Sequence, residues 1–232
     1  MRLTTFGALA IGLSSAAAAS AQDYHGVVYA GGSAGQGTNG YLGAVVSLPG
    51  ASLGHGLALR GTATAGNYRY RTGGVLVHGR YVGGEVAMVY QMSGSWGWAN
   101  LSAGPRVTDT TLRPVDPKND RRGTRVDVGV QADGAFNLSP KWRMTYLGSV
   151  GVRDGDYLVK GDIGPFVDSK SQTRIGVEGA FQGDPSYHAH SAGLFVSTQV
   201  ARATSLQVSG GVRDESGNGT GGYVSLGTSI LF

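Results

Sequence analysis

Tyr187-His188-Ala189-His190-Ser191 is the stretch of this sequence where nucleophile and base types crowd together, with Glu178 and Asp184 shortly before it. A serine hydroxyl becomes a nucleophile when an imidazole accepts its proton and an acid orients that imidazole. Ser191 with His188 or His190 is thus the candidate for lipase or deacylase chemistry. The residues around Ser191 match no hydrolase motif, and a serine beside a histidine is common by chance. His188 and His190, two apart, share one face of a strand. No third metal ligand is fixed beside them by spacing. The reading of these residues is therefore no catalytic residue, no metal and no cofactor, with His25, His55 and His78 left as loop or interface residues.

A second set of residues could do chemistry by charge. Arg60, Arg143, Arg153, Lys160, Arg174 and Arg213 stand against Glu85, Asp127, Asp133, Asp162 and Glu178. Each falls on the polar side of an alternating run, where it would face an enclosed interior. Two uses follow: a charged passage for an anionic or sugar-like solute, or ion pairs that hold a narrow interior rigid. Tyr68/Tyr70 and Trp96/Trp98 could stack on sugar rings, although aromatics near strand ends also serve as membrane-interface girdles, together with Tyr90, Trp142, Tyr187 and Tyr223.

The elements that must position these residues are strands. Leu57, Leu59, Gly61, Ala63 and Ala65 alternate with Ala58, Arg60, Thr62 and Thr64; Val126, Val128, Val130 and Ala132 alternate with Asp127, Gly129, Gln131 and Asp133. Period 2 is the signature of a strand with two unlike faces. Such runs cover 24–34, 40–48, 57–66, 80–92, 96–111, 124–136, 141–153, 156–167, 172–182, 188–200, 204–213 and 223–232, about twelve strands in all. No helical period of 3.6 interrupts them. Asp154-Gly155 is a hairpin signal, and the polar, doubly prolyl stretch 113–122 reads as the longest loop.

Composition selects the kind of β protein. Gly is 41 of 232 residues and charged residues are 15%, against the roughly 7% and 25% usual for soluble domains. The absence of cysteine excludes disulfides and thiolate sites. A net charge of +4, spread along the chain, gives no reason to expect nucleic acid as a partner. Met1-Arg2-Leu3, an apolar run from Phe6 to Leu13 and Ala19-Ser20-Ala21 have the form of a secretory signal peptide, 1–21, leaving 22–232 as one domain. The apolar faces carry no charge inside their runs, and a charge facing mid-bilayer lipid costs roughly 2–4 kcal/mol. Strands of roughly 9–11 residues suffice to cross a bilayer. The expectation is all-β: a single antiparallel up-and-down transmembrane barrel in the bacterial outer membrane, with membrane lipids as its surroundings. Val224, Leu226, Ile230 and Phe232 should face lipid, with the last strand pairing with the first near 27–31. Short periplasmic connections are expected after even-numbered strands, and longer, more charged ones after odd-numbered strands.

Tyr29-Ala30-Gly31-Gly32, Pro49-Gly50, Tyr68-Arg69-Tyr70, Tyr90-Gln91, Gly104-Pro105 and Gly176-Val177-Glu178-Gly179 together resemble the BcsS-type cellulose biosynthesis proteins, small exported barrels of cellulose secretion systems. The resemblance spans nearly the whole mature chain. It implies a non-enzymatic accessory to cellulose (exopolysaccharide) biosynthesis and secretion, with cellulose or its secretion machinery as partner. A small porin-like channel for polar solutes is the alternative, and a lipid-modifying barrel enzyme the third reading.

Overall fold

The computed structural model describes residues 24–185 and 187–232. The signal peptide expected at 1–21 lies outside the described residues. Twelve strands follow one another: β1 (Gly26–Ala34), β2 (Thr38–Ser47), β3 (Gly56–Thr72), β4 (Val75–Gly94), β5 (Gly97–Arg113) and β6 (Gly123–Ser139), then β7 (Trp142–Gly151), β8 (Tyr157–Pro165), β9 (Thr173–Asp184), β10 (Tyr187–Ala201), β11 (Thr204–Glu215) and β12 (Gly219–Leu231). Each pairs antiparallel with the next, and β12 returns to β1, so the sheet closes on itself without an edge. Closure is what a sheet in hydrocarbon requires, because every backbone N–H and C=O then finds a partner.

The seam follows the expected register, from Val27 opposite Leu231 to Gly31 opposite Gly227. Phe232 completes it: its carbonyl accepts hydrogen bonds from the amides of His25 (2.7 Å) and Gly26 (3.1 Å), and its amide donates to Gly26 O (3.0 Å).

The two faces are inverted relative to a water-soluble protein. Leu42, Val82, Val86, Leu101, Val126, Leu194 and Val224 are exposed on the outer face, whereas Arg60, Gln91, Asn100, Asp133 and Ser197 are buried inside. Apolar residues outside and polar residues inside are the arrangement that lipid imposes.

Glycine and tyrosine form pairs on the inner wall. Tyr29 stands opposite Gly43 and Tyr41 opposite Gly31; Tyr81 faces Gly66 and Tyr68 faces Gly79. In each case the ring lies across the partner glycine so closely that a Cβ there would sit 2.2–2.5 Å from a ring or hydroxyl atom. The narrow bore leaves large rings no room to stand upright, so they lie flat over residues without side chains.

An even strand number puts both termini at one end, called here the near end. Loop length does not sort the two ends as expected. The near end carries the connections 48–55 and 166–172, while the far end carries 114–122 but also the two-residue turn Gly73-Gly74. Both of those glycines have positive φ, +55° and +81°, which the tight hairpin requires. What distinguishes the far end is strand length. Pairing of β2 with β3 stops at Thr38–Asn67, but β3 and β4 stay paired to Thr72–Val75.

The aromatic expectations divide. Tyr90, Trp96 and Trp142 are exposed, as girdle residues should be. Tyr68, Tyr70 and Tyr187 instead turn inward and are buried with Val77, Tyr81, Leu112 and Ala189. Because Tyr187 and Ala189 belong to β10, on the opposite wall, this layer spans the far mouth. The period-2 rule gives the reason: Tyr68 and Tyr70 share the face of Arg60, four and five positions further along the same inward register.

Candidate functional site in the bore

At mid-barrel, Arg60 from β3 reaches Glu85 of β4 (2.5 Å) and Asp133 of β6 (3.8 Å). The Arg60 guanidinium is enclosed, and Asp133 also accepts hydrogen bonds from Asn100 Nδ2 (3.0 Å) and Gln131 Nε2 (2.8 Å). Buried carboxylates keep their charge only when paired and hydrogen-bonded in this way.

Towards the far mouth, Arg106 bridges Asp127 (3.1 Å) and Asp156 (2.8 Å). Burial holds the Asp156 carboxyl above its ordinary range, against the pull of Arg106. Arg121, from the 114–122 loop, contacts Asp154 (3.3 Å) and Asp184 (3.7 Å), and Arg125 pairs with Asp154. The oxygens of Asp127, Asp154 and Asp156 lie close enough together to suggest a cation site, but three guanidiniums already answer them. The same loop is pinned under the tyrosine layer. Tyr70 Oη donates to Asp116 Oδ2 (2.9 Å) and accepts from Asn119 Nδ2 (2.9 Å).

Along the opposite wall, Lys160 pairs with Glu178 (3.0 Å), which also accepts from Ser209 Oγ and Tyr223 Oη, each at 2.7 Å. Arg213 pairs with Glu215 (2.8 Å) and donates to Tyr187 Oη (3.2 Å). At the near end, Arg174 pairs with Asp162 (3.0 Å), lies over the Phe195 ring and donates to Arg143 O (3.1 Å). Arg143 donates to Asn137 Oδ1 (2.8 Å) beside a 480 Å³ cavity that also borders Phe166, Lys170 and Gln199.

Ten of the eleven charges picked out from alternation thus lie on the inner wall: Arg60, Glu85, Asp127, Asp133, Arg143, Lys160, Asp162, Arg174, Glu178 and Arg213. Arg153 does not. It sits in the 152–156 connection with its side chain exposed, because β7 ends at Gly151 and inward alternation ends with it. Arg106, Arg121, Arg125, Asp154, Asp156, Asp184 and Glu215 also enter the ion pairs, although the pattern did not single them out. Arg106 was legible from alternation, since it shares the inward parity of Asn100 and Ser102 between the outward Leu101 and Val107.

His188 and His190 point outward, and Ser191 faces the bore. Neighbouring residues of a strand take opposite faces, so this geometry brings neither imidazole to the hydroxyl. On the outer face, His190 Nε2 lies 3.9 Å from Asp214.

Two voids between these layers have volumes of about 80 Å³, against Glu85, Arg106 and Asp156, and about 30 Å³, against Lys160, Glu178 and Ser191. Each has room for only a few water molecules. The arrangement is an interior held by ion pairs, with an aromatic cover at the far mouth.

A closed twelve-strand barrel with lipid-type side chains outside and charges inside defines a transmembrane β-barrel. The fold of solved outer-membrane barrels matches it. The KdgM porin aligns with 89% of this chain and 99% of its own, at 12% identity and a TM-score of 0.52. The CymD monoaromatic hydrocarbon channel (10% identity, 90% of this chain and 89% of its own, TM-score 0.48) and the translocator domain of autotransporter NalP from Neisseria meningitidis (9% identity, 89% and 88%, TM-score 0.49) align less well. At such identities the likeness is one of fold. No curated protein sequence matches. The chain belongs to the cellulose biosynthesis protein BcsS family, whose model matches residues 27–232.

Proposed function

We propose that this protein is a non-enzymatic outer-membrane barrel that serves cellulose biosynthesis and secretion as an accessory. Membership of the BcsS family over residues 27–232 is the observation that carries the reading. An outer-membrane location is supported by the inverted faces and by the fold shared with the KdgM porin. The interior favours an anchoring or partner-presenting role over free passage of solutes. Most of its charges are paired within the wall, and the Tyr68–Tyr70–Tyr187 layer with the 114–122 loop covers the far mouth. Cellulose, or the machinery that exports it, is the proposed partner. Deleting the gene in a cellulose-producing strain should lower secreted cellulose.

The second reading, a porin-like channel for polar solutes, draws on the charged lining and on the 480 Å³ cavity at the near mouth. Planar-bilayer recordings separate the two. Stable conductance steps from the purified wild-type chain support a channel, and a silent bilayer with correctly folded protein supports the accessory reading.

A further inference from the structure

The outer faces of β3, β4 and β5 change character abruptly near the far end. From Met92 to Val82, the outward residues of β4 are Met92, Tyr90, Met88, Val86, Gly84 and Val82. At about 3.4 Å per residue and a tilt of about 40°, these eleven positions rise about 25 Å, the height of an outer-membrane apolar band. The next outward residues on β4 are Arg80 and His78. In the same rows, β3 presents Asn67 opposite Arg80 and Arg69 opposite His78, while β5 presents Thr111 opposite Arg80 and Arg113 opposite His78. Arg71 extends the row at the hairpin tip.

Four guanidiniums and an imidazole are therefore grouped, all exposed, just beyond the edge of the apolar band. Among the described residues, none of these arginines forms an ion pair with a carboxylate. On the same outer face, Asp109 of β5 lies opposite Val82, at the edge of the band, and accepts from Thr124 Oγ1 (2.8 Å). This contrasts with the bore, where acids answer Arg60, Arg106, Arg174 and Arg213. The patch is also concave. Where the β1–β2 hairpin stops and β3–β5 continue, a 750 Å³ groove opens between Gly35, Thr38, Asn67, Arg69, Arg80 and Arg113.

Arginine presents a planar fork of donors that suits phosphate oxygens. At the boundary between acyl chains and headgroups of an outer leaflet, the anionic groups at that height are the phosphates of its glycolipid. We infer that the Arg69–Arg80–Arg113 groove binds the phosphorylated sugar headgroup of an outer-leaflet glycolipid of the lipid A class, with its acyl chains lying along Val82, Val86 and Val107. This rests on the outer-membrane reading above, with the end that carries both termini, Gly26 and Leu231, facing the periplasm and the far end facing outward.

The test uses the full mature barrel, folded in detergent, with lipid A and enzymatically dephosphorylated lipid A as probes. The comparison variant is Arg69→Gln/Arg80→Gln/Arg113→Gln, all exposed positions, with the heat-modifiable gel mobility of the folded barrel, unheated against heated, reporting correct folding. Each basic residue near an anionic surface changes affinity by about fivefold, so the triple variant should bind lipid A about 100-fold more weakly. Wild-type binding should fall by a similar factor when the phosphates are removed. Equal binding by the folded triple variant, or equal binding of dephosphorylated lipid, would overturn the groove proposal. A chain missing from the outer-membrane fraction of cells would overturn the location instead, so the two failures are distinguishable.

Discussion

Tyr68 lies flat across Gly79, the residue directly opposite it on β4, with its ring so close that a Cβ on Gly79 would be 2.2 Å from Cζ. The inward turn of Tyr68 beside Tyr70, and with it the cover of the far mouth, depends on that missing side chain. Gly79→Ala should displace the ring, with an overpacking cost of about 1–3 kcal/mol. The expected result is a lower urea midpoint together with faster proteolysis in the 114–122 loop, which the neighbouring Tyr70 pins through Asp116 and Asn119. An unchanged midpoint and an uncut loop would show that the cover does not rely on this pair.

Arg60 answers two buried carboxylates at once. Arg60→Met leaves Glu85 and Asp133 without their counter-charge, a loss of about 3–5 kcal/mol for a broken buried pair. Arg153→Ala, on the exposed turn, should change stability by less than about 0.5 kcal/mol. Equilibrium unfolding of both variants in lipid vesicles checks the contrast.

Phe232 closes the barrel against Gly26. A Cβ on Gly26 would lie 2.5 Å from the Phe232 ring and 2.6 Å from Val45 O. The ring can swing aside but the carbonyl cannot. Gly26→Ala and deletion of Phe232 should both lower the amount of barrel in the outer-membrane fraction, and the deletion should impair assembly more than it lowers stability once refolded in detergent. Wild-type membrane levels of both variants would contradict this account of the seam.

Asp168, in the 166–172 connection, accepts backbone hydrogen bonds from Thr173 (2.5 Å), Gln172 (2.9 Å) and Lys170 (3.1 Å). These bonds, that of Thr173 first, hold its carboxyl below the ordinary range. A depressed carboxyl pKa stabilises the turn fully above the unfolded value, about 3.9, and the contribution disappears as pH falls through the folded value. Hydrogen exchange at the Gln172 and Thr173 amides, corrected for intrinsic rates, should therefore lose protection on acidification below about pH 4. Asp168→Asn should show reduced protection at neutral pH.

The wall of the barrel was readable because lipid enforces period 2 along every strand. Leu57–Ala65 and Val126–Ala132 state their two faces outright, and all twelve runs became strands. Inner-wall charges followed wherever the alternation continued, as with Arg60 and Glu178. The reading stopped where period 2 stops. Arg153 lies past the end of β7, and Asp154 and Asp156 in the same connection reach Arg125 and Arg106 by tertiary folding that no local pattern records. Tyr68 and Tyr70 were assigned to a girdle because aromatics near strand ends usually anchor membranes; their parity with Arg60 already placed them inside. The opposite faces of His190 and Ser191 were likewise fixed by adjacency alone. The far-mouth loop was legible as a loop, but its burial through Asp116, Asn119 and Arg121 was not.

Secreted cellulose, quantified in a clean deletion strain carrying either the wild-type gene or the Phe232-deleted form, tests the proposed role most directly. The account predicts that cellulose falls on deletion, returns with the wild-type chain, and stays low with the truncated chain that fails to assemble. Unchanged cellulose in the deletion strain would contradict it.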